Sequence, residues 1–209
     1  MKNVVYINLK YRTDRRIYTE KQFLNIGINA HRMEAIESPD GAIGCTLSHI
    51  RCIEYAKKHN LSSICICEDD ILFTNPTLFI TKLETFLQSD IEWDVLLVGA
   101  NIAPPFEKTN DFCMKVYNAQ TTTGYIVKQH YYDTLLKNFK DGLTSLLKNT
   151  DKKREYAIDM YWKILQKQDK WFILIPLSVV QVANYSDIEH RIVNYSNYML
   201  DDKSNINAS

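Results

Sequence analysis

The sequence predicts an α/β sandwich, a central, mostly parallel sheet flanked by helices. Three observations carry this reading. Short apolar runs alternate with segments of helical periodicity along most of the 209 residues. One run, Ile64-Cys65-Ile66-Cys67, is apolar without interruption, as a strand covered on both faces should be. The length suits one domain, and a chain of this size hides about 70% of its unfolded surface without staples.

Val4–Leu9 is the first strand. Thr13 can cap the next segment, where Ile17, Phe23, Leu24 and Ile28 keep a helical stripe and Gly27 offers a stop. Arg32–Ile36 reads as the second strand. In Ala42–His59, the best helix, Ile43, Leu47, Ile50 and Ile53 share one face while Arg51, Glu54, Lys57 and Lys58 populate the other. Ser63–Cys67 is the central strand. Asn75 caps a helix with Pro76 at its first position, and Leu78, Phe79, Leu83, Phe86 and Leu87 supply its buried face. Asp94–Val98 is a further strand ended by Gly99. Ala103–Asn110, with Pro104-Pro105, reads as an irregular loop. Thr121–Val127 is a strand and Gln129–Phe139 a helix. Lys140–Arg154 is lysine-rich with little pattern and reads as mobile. A helix over Ala157–Gln168 precedes strands Trp171–Ile175 and Val179–Val182. The expected layout is one domain over 1–198. Residues 199–209 have the composition of a flexible tail.

Lys+Arg and Asp+Glu are 25 each. Formal charge is therefore zero, and no global basic field exists to draw nucleic acid or anionic lipid. No apolar run approaches the length of a membrane span, and the N-terminal stretch turns polar too soon for a signal peptide. Five cysteines without a C-x-x-C pair disfavour a zinc ribbon or redox dithiol and fit buried thiols in a reducing, cytoplasmic compartment. Abundant Asn, Lys, Ile and Tyr point to an AT-rich genome such as a bacterium's or a large virus's, in the latter case placing the protein in host cytoplasm.

Two clusters carry chemistry. Glu68-Asp69-Asp70 follows the apolar run, at the strand end where ligands bind in open α/β sheets. Glu68 and Asp70 are two apart, so in extended chain they point the same way. Two carboxylates about 4 Å apart repel by roughly 1–4 kcal/mol. A cation removes that cost, and oxygen-only donors favour Mg²⁺ or Mn²⁺. The bland alternative is a solvated acidic turn. The second cluster is the basic turn Lys10 to Arg16, at the first crossover of the sheet. Helix N-terminal N–H groups and the forked hydrogen bonds of arginine suit phosphate there. It has neither a dinucleotide fingerprint nor a P-loop, and a solvated first turn explains it too.

Taken together, the segments Val5-Tyr6-Ile7-Asn8-Leu9 with Arg12, Arg15 and Arg16, Gly44-Cys45-Thr46-Leu47-Ser48-His49, Glu68-Asp69-Asp70, and Gln181 with Ser186-Asp187-Ile188 resemble family-25 glycosyltransferases, with Trp93-Asp94 before Leu96-Leu97-Val98-Gly99 also fitting. That family includes lipooligosaccharide galactosyltransferases and collagen hydroxylysine galactosyltransferases. The resemblance spans nearly the whole chain, and Gly-Cys-x-Leu-Ser-His is its most specific piece. It implies a GT-A-like, Rossmann-type fold, a UDP-sugar donor with galactose favoured over N-acetylglucosamine or glucose, and Mn²⁺ or Mg²⁺ on the carboxylates. It also implies inversion at the anomeric carbon, a glycan or hydroxylated protein as acceptor, and a nucleotide-binding half over 1–100 with an acceptor-side half over 101–198. Asn8, Leu9, Arg12 and Arg15 would hold the nucleotide, and Ser48 would donate to its oxygens. His49 would fix the loop over the carboxylates or stand as a core histidine. Glu68 and Asp70 would be the metal pair, Glu68 bound directly or through water, with Asp69 turned to the sugar or a backbone donor. Thr123 and Gly124, with Thr122 and Tyr125, would face the donor sugar, although a turn or bulge explains such small residues equally. Gln181, Ser186 and Asp187 would close over the diphosphate, with the third metal ligand open among Gln181, Asp187 and His190.

An inverting transfer needs a carboxylate base for the acceptor hydroxyl. Asp159 is the candidate, with Tyr161 and Trp162 offering faces for a sugar ring. The alternative is that Ile158, Tyr161, Trp162 and Leu165 are core and Asp159 is a first-turn dipole residue. Three other classes stand against transfer. A glycoside hydrolase sets its carboxylates across the bond, a nucleotidyltransferase would release pyrophosphate, and an inactive relative would bind sugar nucleotide or carbohydrate without turnover.

Overall fold

The computed structural model describes residues 2–186, 191–194 and 196–201. The first half runs β1 (Val4–Asn8), α1 (Thr13–Asn25), β2 (Ala30–Glu34), α2 (Gly41–Lys58), β3 (Ser63–Glu68), β4 (Ile71–Phe73), α3 (Pro76–Gln88) and β5 (Val95–Ile102). The second half begins with β6 (Phe106–Lys108), β7 (Cys113–Val116), β8 (Ala119–Lys128) and α4 (Tyr132–Lys148). The short α5 (Lys153–Tyr156), α6 (Ile158–Tyr161) and α7 (Lys163–Gln166) lead to β9 (Trp171–Leu174), β10 (Val179–Gln181), β11 (Asn184–Ser186), β12 (Arg191–Val193) and α8 (Ser196–Leu200).

One eight-stranded sheet has the order β2-β1-β3-β8-β5-β9-β7-β6. The β1–β2, β1–β3 and β5–β9 ladders are parallel, and the other four are antiparallel. All its strands except β7 and β8 therefore point one way, which is the expected mostly parallel α/β sandwich. The period-2 alternation of strands splits the core in two. Val5, Ile7, Ile64, Ile66, Tyr125 and Val127 face one side, packed with Ile50 and Ile53 of α2 and Leu135 and Phe139 of α4. Val4, Tyr6, Cys65, Cys67, Leu96 and Ile126 face the other, against Phe23 of α1 and Phe79, Leu83 and Phe86 of α3.

Several local expectations hold. Asn75 accepts from the Leu78 N–H at 3.1 Å, capping α3, and Gly27 follows α1 at φ +67°. A cap not read from the sequence is Asp40, whose side chain accepts the Ala42 N–H at the start of α2. Gly44, in the first turn of α2, lies so close to the preceding loop that a Cβ would sit 2.6 Å from the Ile36 carbonyl oxygen. That is a packing reason for the glycine of the Gly-Cys-x-Leu-Ser-His string.

Other expectations need correction. The predicted stripe of α1 does not form, because Ile17 and Leu24 are exposed while Thr19 and Phe23 are buried. Thr13 is the first residue of α1, not its cap. The second strand lies two residues earlier than predicted, paired by register to β1. Lys140–Arg154 is mostly ordered helix. α4 continues to Lys148, with Leu146 buried and Gly142 against Tyr161, so its polar residues are simply its outer face. The loop over 103–110 holds β6 on the sheet edge, and β4 and β7 were missed as three- and four-residue strands. The single helix over 157–168 is two short helices in which Trp162 is fully buried, its Nε1–H donating to the Ala119 carbonyl and its ring edge-on to Trp171. Trp162 is therefore core, not a sugar platform. Truncating such a residue costs about 3–5 kcal/mol. Tyr161 packs on Gly142. The segment expected to fray starts as α8, whose Met199 is buried and takes the Gln181 N–H.

Candidate active site

β3 ends at Glu68, and parity continues the Ile64 and Ile66 side of the strand, so the Glu68 carboxylate meets α2. Its Oε1 accepts from the Thr122 hydroxyl at 2.5 Å, lies 3.6 Å from His49 Nε2, and stands 3.7 Å from Cys45 Sγ. Its Oε2 accepts from Gln181 Nε2 at 3.0 Å. Burial acts to raise this carboxyl, but His49 and the Thr122 hydroxyl outweigh it, and Glu68 titrates below its ordinary value. His49 is fully buried. Its Nδ1 pairs with the Tyr125 hydroxyl at 3.0 Å, and its Nε2 has no hydrogen-bond partner in the protein. Burial, then the charges of Glu68 and Asp159, push the Cys45 thiol well above its ordinary range.

Asp69 and Asp70 form the turn into β4, so strand alternation stops at Glu68 and does not carry Asp70 to the same face. The extended-chain argument for that pair fails for this reason. Asp69 turns to α1. Its oxygens accept from Asn8 Nδ2 at 2.7 Å and Arg15 at 2.9 Å, while its carbonyl takes the Thr19 hydroxyl at 2.6 Å. Asn8 also accepts from Arg32 Nε. Asp70 lies 3.5 Å from the same Arg15 guanidinium, and its Oδ1 is buried without a hydrogen-bond partner in the protein. Burial and the Glu68 charge push this carboxyl up to about 8, against the pull of Arg15. The three consecutive acids thus occupy three environments.

The neighbouring wall is the start of β8. Between Gly99 and Asn101 of β5, β8 spans from Gly124 to Gln120, so Thr121–Thr123 bulge out of register. Thr121 sits at φ +73°, where a β-branched residue is strained. Asp159 Oδ2 accepts the Thr121 N–H at 3.0 Å and holds that conformation. Burial raises the Asp159 carboxyl, Glu68 adds to the rise, and the Thr121 bond and Lys163 oppose it. The bulge therefore brings Thr122 to Glu68 and ties Asp159 to the same corner.

The remaining predicted residues are placed as follows. Arg12 precedes α1 with its guanidinium on Asp14, and the Leu9 carbonyl accepts its N–H. Ser48 is buried with its hydroxyl used twice, accepting from the Ile36 N–H and donating to the Gly44 carbonyl, so it ties the loop before α2 to that helix. Thr123 is buried and donates to Thr121. A Cβ on Gly124 would meet Cys67 Sγ and Val98 at 3.1 Å, so sheet packing explains this glycine. Ser186 is the last residue of β11. Asp187 and His190 lie outside the described residues. Cys45 and Thr122 were missed as contacts of Glu68. For Cys45 a signal existed: it stands four residues before His49 on α2 and so shares its face.

Two donor sets fit a cation. The acidic corner offers Asp70, whose buried oxygen lacks a protein partner, together with Glu68, whose charge repels it. Cys45, His49 and Glu68 form the second, with ligand atoms all within 4.8 Å of one another.

Glu68, Asp70 and Asp159 thus gather beside the strained bulge at the end of β3. Residues 39–118 match the model of glycosyltransferase family 25, described as an LPS biosynthesis protein. This span holds the Gly-Cys-x-Leu-Ser-His string and all three acids, so the part of the chain that carries them is similar to a glycosyltransferase family. A search of curated proteins gave no match. Among solved structures, the chain is similar to a glycosyltransferase involved in glycosylating the major capsid of PBCV-1, at 11% identity and TM-score 0.47, over 83% of this chain and 91% of that one. It is also similar to a mutant Drosophila β1,4-galactosyltransferase 7 in complex with manganese, UDP-Gal and xylobiose, at 8% identity and TM-score 0.48, over 91% and 74%. Among the described residues no helix is long and apolar enough to cross a membrane.

Proposed function

We propose that the protein is a GT-A-like, metal-dependent inverting transferase. It would move a hexose from a UDP-sugar, galactose before N-acetylglucosamine or glucose, to a hydroxyl of a glycan or hydroxylated protein. The observation that carries the reading is the buried, unpartnered Oδ1 of Asp70 beside Glu68 at the end of β3, with Asp159 anchored on the adjoining bulge.

In this reading Asp70 would hold Mn²⁺ or Mg²⁺, with Glu68 beside it. When bound, the ion supplies Lewis-acid relief of the charge on the departing diphosphate. The N-terminus of α1, with Leu9, Arg12 and Arg15, faces the nucleotide. Asn8 and Asp69 fix that turn to β3. Ser48 and His49 act from behind, one on the loop and one on Glu68. Thr123 and Gly124 would hold the bulge against the donor sugar, and Gln181, which donates to Glu68, would border the diphosphate; Ser186 and Asp187 follow it in sequence and are proposed for the same role. Asp159 takes the proton of the acceptor hydroxyl as its oxygen bonds the anomeric carbon and UDP departs with the electron pair of the broken bond. A carboxyl raised by burial is a stronger base than a solvated one. Residues 1–100 then serve the nucleotide and 101–198 the acceptor. Five free thiols fit a cytoplasmic setting.

The experiment is a donor panel scored by UDP release with and without Mn²⁺, alongside a calorimetric titration with UDP. Metal-dependent UDP release from one sugar nucleotide is expected. Pyrophosphate release would indicate nucleotidyl transfer, and absence of UDP binding would leave only a non-enzymatic role. Asp159→Asn keeps an acceptor for the Thr121 N–H, so it should lower turnover by about 10²–10⁴-fold while sparing UDP affinity. Unchanged turnover removes Asp159 from the reaction.

A further inference from the structure

We propose that Cys45, His49 and Glu68 form a three-ligand site for a borderline-soft transition ion, Zn²⁺ in the first instance, sharing Glu68 with the acidic corner. Zn–S bonds of about 2.3 Å and Zn–N and Zn–O bonds of about 2.0–2.2 Å place tetrahedral ligands about 3.3–3.6 Å apart. The His49 Nε2 to Glu68 Oε1 edge is 3.6 Å and the Cys45 Sγ to Glu68 Oε1 edge is 3.7 Å. The third edge is no longer than 4.8 Å.

The second observation is the burial and hydrogen bonding of His49. His49 is fully buried, and its Nε2 has no hydrogen-bond partner in the protein although it is aimed at Glu68. The tautomer that donates Nδ1–H to the Tyr125 oxygen leaves a lone pair on Nε2. This is the outer-shell arrangement that orients metal-binding histidines. A helical i, i+4 pair presents thiol and imidazole on one face, and α2 supplies it without strain.

The donor chemistry separates this site from the acidic corner. Thiolate and imidazole select Zn²⁺ or Co²⁺ over Mg²⁺ and Mn²⁺, which prefer oxygen. Binding converts the Cys45 thiol to thiolate and releases its proton to solvent. Three protein ligands would leave a fourth position to water. An ion there would draw on the charge of Glu68, so the site makes the cleft responsive to zinc.

The test uses the full chain stripped with chelator and titrated with Co²⁺, then Zn²⁺. One Co²⁺ should bind with a thiolate-to-cobalt charge-transfer band, and Zn²⁺ should displace it. Cys45→Ser should abolish the band, and both Cys45→Ser and His49→Gln should weaken Zn²⁺ binding by about 100-fold. Cys113→Ser should keep the band. A second readout needs no variant: Zn²⁺ should protect Cys45 from alkylation, read by peptide mass spectrometry, where Mn²⁺ does not. A missing band, a band that survives Cys45→Ser, or equal alkylation with and without Zn²⁺ overturns the proposal. Every readout is of metal binding, so the result is separate from that of the transfer assay.

Discussion

Glu68 and Asp69 are adjacent in the chain and lie on opposite faces of the sheet. Glu68 looks toward α2, into a thiol, an imidazole, a hydroxyl and an amide. Asp69 looks toward α1 and is closed off by Arg15, Asn8 and, through its carbonyl, Thr19. The α1 face has turned its acid into a structural pin, with charge and hydrogen bonds already matched. The α2 face and the turn at Asp70 leave acid capacity unspent. The lesson is that an acidic triplet is not one site: the last strand residue and the two turn residues meet different partners, and the second turn residue keeps an oxygen with no hydrogen-bond partner in the protein.

The contrast breaks most sharply at Asp70. Asp70→Asn should lower UDP release by about 10²–10³-fold, the size of a lost charge-stabilising group, with the melting temperature unchanged or raised. Wild-type turnover would show that the unpartnered oxygen takes no part. Asp69→Ala should do the reverse. Removing the carboxylate that accepts from both Asn8 and Arg15 should cost about 1–3 kcal/mol in urea unfolding, since Asp70 still faces Arg15, and a loss under about 0.5 kcal/mol would mean that the pin is not one.

The pH dependence comes next. In the folded chain Asp70 is pushed up to about 8 from its ordinary 3.8 by burial and the charge of Glu68. Between those values the folded state keeps a proton that the unfolded state releases. The associated stability is therefore present in acid and lost as pH rises toward 8. With chelator present, the melting temperature of wild type relative to Asp70→Asn should fall across that window. A flat difference would remove the buried charge from the account. The smallest effect belongs to Ser48→Ala, which leaves the Ile36 N–H unpaired and should cost about 1–3 kcal/mol in denaturant unfolding. A change in UDP affinity without that loss would place the hydroxyl on the nucleotide instead.

The alternation of apolar runs with helical stripes made the sandwich legible, and Ile64 to Cys67 marked its central strand. The caps at Asn75 and Gly27 were legible because they are local. Short strands such as β4 and β7 were not, since three or four residues carry no period and owe their form to partners elsewhere in the chain. Lys140–Arg154 reads as mobile because the exposed face of α4 is polar, while the buried contacts of its helical part come from Tyr161 and the α2 layer. At the site, the acids, the basic turn and Asp159 were visible as residue types. The partition of the acids was not, because it depends on where β3 ends.

Local pattern and composition by themselves determined the layer architecture, the neutral surface charge and the placing of three acids at the mouth of a buried strand. Only the tertiary structure decided that Trp162 is core, that Thr121 bends into a strained bulge held by Asp159, and that Cys45 and His49 meet Glu68. These are contacts between segments dozens of residues apart. Their geometry is set by sheet register and helix packing, which no single stretch of sequence contains.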